Sequence, residues 1–233
     1  MSKRQDIIDG REYGSPYGLI YTEVLGWVDL GHAQGTDIRK LLRNIDIGES
    51  SGSEYYEVVY SQSMIDPTRT MKMGKFISWR IKRGRTYSER KSIALAMMMS
   101  LARKFEGLQS SFPLSLTTDS GFSGEDLVSD LLGFHRVVSI QNPFDLLRPV
   151  SKADALKRWD YYGKIGSWKN ETFIPILFPD PDKYPNARPR KGELPNFMKT
   201  VRPWNDFHSG IISIISADGS YIDKAKSGAL PYA

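Results

Sequence analysis

The sequence contains no cysteine. Disulfides, thiolate zinc sites and cysteine nucleophiles are excluded together. Histidine is scarce as well: His32, His135 and His208 are the whole complement, and no two are spaced to place both imidazoles on one helical face as metal ligands. No stretch reaches the apolar length of a membrane span, and Lys3 and Arg4 are followed by no apolar run of the kind a secretory signal peptide needs. The expectation is a chain made in the cytoplasm without a signal peptide, whose work in a periplasm would require a dedicated delivery route. A phosphate-cradling glycine loop is missing, and so is any nucleic-acid fold signature, so nucleic acid is not expected as a partner and no cofactor is implied.

What is present suits a folded protein. Over 233 residues, 40% apolar and 12% aromatic side chains suffice to fill a core. The net charge of +5 is unevenly placed. One basic tract runs from Lys72 to Lys91 and another from Lys183 to Arg202. Such tracts suit a polyanion, here an acidic cell-wall polymer, although a solvated basic face would read the same way.

Residues 1–17 are polar with Gly10, Gly14 and Pro16, and read as an N-terminal arm. Leu19–Thr22 and Trp27–Leu30 read as two short strands, after which Gly31-His32-Ala33-Gln34-Gly35 turns into a helix capped by Thr36. Tyr55–Ser61 and Met71–Lys82 are further strands, separated by Asp66-Pro67-Thr68. Thr86 and Glu89 have capping-box spacing ahead of a helix reaching about Gln109, in which the methionine run at 97–99 is read as core packing. Ser123 and Asp126 form a second box, with Leu127, Leu131 and Leu132 as the apolar face and Gly133 as the expected helix stop. Val137–Ile140 is a candidate strand, and Asn142-Pro143 and Ser151 with Asp154 open later helical turns. Residues 179–203 carry six prolines and read as a surface excursion, Ile211–Ile215 as a buried element, and 227–233 as a tail. With strand signals first and helix signals later, the fold class expected is α+β: one domain over residues 18–226, its small antiparallel sheet, mainly from 18–82, packed against a helical portion.

The carboxylates differ in setting. Glu106 falls in the last turn of a helix among apolar neighbours, where dipole and burial both disfavour the anion, as a general acid requires. Glu125 and Asp126 stand at a helix start, where free amides favour it. Two carboxyl sites pushed apart in this way are the pattern of glycoside hydrolysis, while solvation of Glu106 and capping by Glu125 and Asp126 is the structural alternative. A zinc site joining His32 to Glu106 or Asp126 is a third arrangement, so the metal question stays open. Gly121-Phe122-Ser123-Gly124-Glu125 is not a nucleophile elbow, because Glu125 stands where glycine is needed.

Taken in order, Gly26-Trp27-Val28-Asp29-Leu30-Gly31-His32-Ala33, Phe105-Glu106-Gly107-Leu108-Gln109 and the run from Ser120 to Phe134 resemble a bacterial domain-of-unknown-function family, number 4056, and its relatives. Members carry an Asp-Leu-Gly-His turn and a later Ser-Phe-Ser-x-Glu-Asp-Leu run, and many resemble envelope lipoproteins. This chain has Asp130 where asparagine is commoner. The resemblance implies no activity, but it places His32, Glu106, Ser120, Ser123, Glu125 and Asp126 in motif positions and so implies that they share a site. The function expected from all of this is a peptidoglycan hydrolase, in one form a delivered antibacterial toxin with a cognate immunity or delivery partner, using Glu106 as acid. The alternatives are a non-catalytic binding or immunity-type protein and a metal-dependent hydrolase.

Overall fold

The computed structural model describes residues 2–65, 69–109 and 122–224. Its regular elements are β1 (Leu19–Thr22), β2 (Gly26–Asp29), α1 (Thr36–Glu49), β3 (Tyr55–Ile65), β4 (Met71–Lys82), α2 (Tyr87–Gln109), α3 (Asp126–Val138), α4 (Lys152–Tyr162), β5 (Ile176–Leu177), β6 (Arg190–Lys191) and β7 (Ile212–Lys224). All strand pairing within these elements is antiparallel, in sheets β1-β2, β3-β4-β7 and β5-β6, and the fold is α+β. None of the described helices is long and apolar enough to cross a membrane. The chain divides into two compact units, residues 1–36 with 109–200 and residues 37–108 with 201–233.

In the first unit the β1-β2 hairpin is buried along almost its whole length. Its side chains join Ile7, Ala155, Trp159, Ile165 and Phe178 in one apolar cluster. Trp27 meets Tyr21 and Trp159 edge-on at ring separations of 5.2 and 5.7 Å, the geometry that aromatic quadrupoles prefer. One residue of the expected N-terminal arm enters this core. Ile7 is fully buried and bridges Leu19, because its apolar side chain is more stable under the hairpin than in water.

Helix α3 departs from its sequence reading at both ends. It begins at Asp126 after an N-cap at Glu125, and the Asp126 carboxylate accepts the Ser123 amide at 3.0 Å, which is half of the expected capping box. The Ser123 hydroxyl goes to Glu125 instead. Gly133 does not end the helix; it lies inside it, where an added Cβ would stand 2.9 Å from the His32 carbonyl oxygen. Glycine is there so that the 3-10 turn His32–Gln34 can approach the helix backbone. Helix continues to Val138, so Val137–Ile140 is not a strand. The proline-rich stretch is mostly exposed, yet it supplies β6 and a 3-10 turn at Asn196–Lys199 that buries Met198.

In the second unit the Thr86–Glu89 box closes reciprocally, with Thr86 N donating to Glu89 at 2.7 Å and Glu89 N to the Thr86 hydroxyl at 3.2 Å. Ile93, Met97, Met98 and Leu101 are buried, as core packing requires. Tyr56 lies over Gly48 of α1, where any Cβ would strike its ring at 2.0 Å. Its hydroxyl donates to Glu49 at 2.7 Å. Ile211–Ile215 opens an edge strand rather than a buried one. Among the described residues β7 pairs with β4 alone, and Ile214 and Ile215 are 50% and 48% exposed while Ile212 is covered.

Candidate functional site

The candidate site is built in the first unit, where β2 runs out beside α3. The Asp29 carboxylate accepts the amides of Gly31 at 2.7 Å and His32 at 3.3 Å, which bends the chain into the His32 turn. Ser129 fixes that turn to the helix. Its hydroxyl donates to the Glu125 carbonyl at 2.7 Å and accepts the Asp29 amide at 3.0 Å. One helical turn beyond Asp126, Asp130 meets His32, with Nδ1 and Oδ1 3.0 Å apart. The Asp130 side chain is 9% exposed and the His32 side chain 34% exposed, so the pair is anchored inside while the imidazole keeps an open surface. Burial pushes the His32 pKa down, but Asp130, Asp29 and Asp126 together outweigh it and hold the imidazole well above its ordinary 6.5. The balance favours the protonated imidazolium.

Glu125 has the opposite character. It is 1% exposed, and its two carboxylate oxygens accept the hydroxyls of Ser2 at 2.7 Å and Ser123 at 2.5 Å. The segment before it is pinned from outside the helix. Phe122 adopts a left-handed backbone with φ 55°, its carbonyl accepts the Asn170 amide at 2.9 Å, and the Asn170 side chain donates to Gly124 at 3.3 Å. Gly124 itself leaves no room for a Cβ, which would stand 2.9 Å from the Trp168 carbonyl. These contacts hold the start of α3 in one place.

Of the residues singled out from the sequence, His32, Ser123, Glu125 and Asp126 lie in this unit around the start of α3. Glu106 is buried in the last turn of α2, where the sequence placed it, and that turn belongs to the second unit. Ser120 lies outside the described residues. Ser2, Asp29, Ser129, Asp130 and Asn170 were not among the candidate residues singled out from the sequence, although Asp29 and Asp130 lie in the motif runs. Asp130 was legible in part, since it follows Asp126 at the i+4 interval that stacks side chains on one helical face. Ser2 and Asn170 come from remote parts of the chain and gave no local signal. Among the described residues no group of three or more histidine, aspartate or glutamate side chains is arranged to hold a metal ion.

The unit contains one more buried histidine. His135 is wholly buried between Phe134 and Phe197, and among the described residues neither ring nitrogen has a hydrogen-bond partner of good geometry. Burial drives its pKa down to about 4 against a weaker opposing pull from the Met198 backbone. It is a neutral core residue.

Comparison with family models, with curated proteins and with solved structures finds no match to this chain.

Proposed function

We propose that the protein is a hydrolase of an acidic cell-wall polymer, with His32 as its proton donor and Asp130 as the group that orients it. The observation supporting this reading is the half-exposed imidazole held at Nδ1 by a nearly buried carboxylate. That arrangement fixes the ring and leaves Nε2 to a ligand. An imidazole whose protonated form the neighbouring carboxylates favour can protonate the oxygen or nitrogen leaving group as water attacks the scissile bond. Delivery as an antibacterial toxin would bring such an enzyme to peptidoglycan. The resembling family carries no activity over, so the reading stands on this pair.

The test is digestion of purified sacculi followed by chromatography of the released fragments. Wild type should release muropeptides, and His32→Gln should lower the rate by about 10²-fold or more, the usual weight of a positioned acid. Absence of release by wild type, or equal release by the variant, ends the proposal.

A second reading is favoured by Glu125, whose carboxylate is buried and held by two hydroxyls, as a structural latch would be. In that reading the protein binds without catalysis, as an immunity-type protein does. Ser123→Ala, which leaves a buried carboxylate one donor short, should then lower stability by about 1–3 kcal/mol in urea unfolding, while His32→Gln leaves partner binding intact.

A further inference from the structure

A cleft of about 720 Å³ opens in the first unit at the Thr22–Gly26 end of the hairpin, lined in part by Glu23, Arg148, Arg158, Lys183, Tyr184 and Arg190. The His32 turn leaves from the other end of the hairpin, where Asp29 pairs with Leu19, about 10 Å further along at the rise of an antiparallel strand. The cleft is therefore a separate feature from the His32–Asp130 pair.

Its charge is unbalanced in a specific way. Arg158 forms the floor. Its side chain is 2% exposed, stacked 4.6 Å over the Tyr21 ring, donating through Nε to the Phe178 carbonyl at 3.0 Å and through Nη2 to Glu23 at 2.7 Å. That guanidinium is neutralised by Glu23. Arg148, Lys183 and Arg190 also line the cleft, and among the described residues none of them pairs with a carboxylate. Against these three cations the remaining lining contributes one carboxylate, Asp180. By contrast Lys157, in the adjoining groove, is matched by Asp182 at 2.5 Å. Cations that line one cleft without counter-charges repel one another, and an anion that joins them relieves the repulsion.

The backbone at Arg148 adds an independent observation. Arg148 has φ 51°, a left-handed conformation that a non-glycine residue preceding proline rarely adopts. It is held there because its carbonyl accepts the Glu23 amide at 3.1 Å and the Val150 amide bonds the Tyr21 carbonyl at 3.0 Å, which adds this segment to the hairpin edge. Strain retained at a lining residue points to use of that position.

We infer that this cleft is a binding site for a phosphate-bearing small molecule. Two guanidiniums, an ammonium and the Tyr184 phenol line the cleft, and that excess of positive donors suits a phosphate group of charge near −2 better than a carboxylate of −1. The volume suits a ligand of metabolite size. This site stands independently of the hydrolase reading.

The experiment is isothermal titration of the full chain with inorganic pyrophosphate at low salt. Saturable one-to-one binding is expected, weakening as sodium chloride is added. The Lys183→Gln/Arg190→Gln double variant changes only exposed side chains and should bind at least about tenfold more weakly, as should Arg148→Asn, which keeps a residue that tolerates the left-handed backbone. His32→Gln should bind like wild type, so a failed hydrolase proposal leaves this result unaffected. Absence of binding at millimolar pyrophosphate overturns the inference. So does equal weakening by Lys40→Gln on α1, which would mean unspecific charge attraction, and so does equally tight binding of citrate, which would remove the case for phosphate.

Discussion

The His32 imidazole and the Asp130 carboxylate, 98 residues apart in sequence, meet at 3.0 Å because Ser129 ties the end of β2 to the first turn of α3. This contact raises the His32 pKa at the candidate site. It also makes the pair's contribution to stability depend on pH in a definite direction.

Asp130→Asn keeps the shape of the side chain and removes its charge. The His32 pKa should fall toward its ordinary value, read as the titration of its ring protons by nuclear magnetic resonance. The folded pKa is raised, so the stabilisation from the pair is fully present below the unfolded value near 6.5 and is lost as pH rises through the raised folded value. The stability gap between wild type and variant should therefore be widest in mildly acidic solution and close at high pH. An unchanged His32 titration in Asp130→Asn would refute the coupling.

Gly133→Ala sets two effects against each other. Alanine in a helix interior is ordinarily more stable than glycine by about 1 kcal/mol. Here its Cβ would meet the His32 carbonyl at 2.9 Å and the Gly35 amide at 3.2 Å, backbone atoms that cannot swing away. Gly35 cannot yield easily, since its own φ of 65° places it where a Cβ would lie 2.4 Å from the Gly133 carbonyl. The clash should win: thermal unfolding is expected at lower temperature in Gly133→Ala, with a shifted His32 resonance. A variant more stable than wild type would show that the turn is free to move off the helix.

His135 gives the opposite pH dependence to His32. Its folded pKa is lowered to about 4, so the unfolded chain binds the extra proton first. Stability is then complete above about pH 6.5 and declines as pH falls toward 4, by about 3 kcal/mol at one pKa unit per 1.36 kcal/mol. His135→Phe fits an aromatic pocket formed by Phe134 and Phe197 and removes the titrating group. In urea unfolding at pH 5 and pH 8, the variant should lose much less stability on acidification than wild type. Equal acid loss in both proteins would place the proton uptake elsewhere.

Local chemistry in the sequence determined the elements. Capping oxygens, apolar periodicity and strand-forming residues gave the β4 span and both ends of α2 nearly to the residue, and with them the α+β class, because these signals act over a few residues. Glu125, Asp126 and His32 were singled out for the same reason, since each sits at the end of an element; Glu106, singled out with them, belongs to the second unit. Only the tertiary structure decided what each of them does. Glu125 is buried because Ser2 and Ser123 saturate it, Gly133 is helical because the His32 turn needs its missing side chain, and Arg148 reaches the cleft from a strained turn fixed by the Glu23 amide. Each of these outcomes depends on a partner brought in from elsewhere in the chain or on backbone packing that residue type alone does not encode. Burial and charge pairing are non-local quantities, so whether a carboxylate becomes a latch, a partner for an imidazole or a counter-charge in a cleft is settled by packing rather than by spacing.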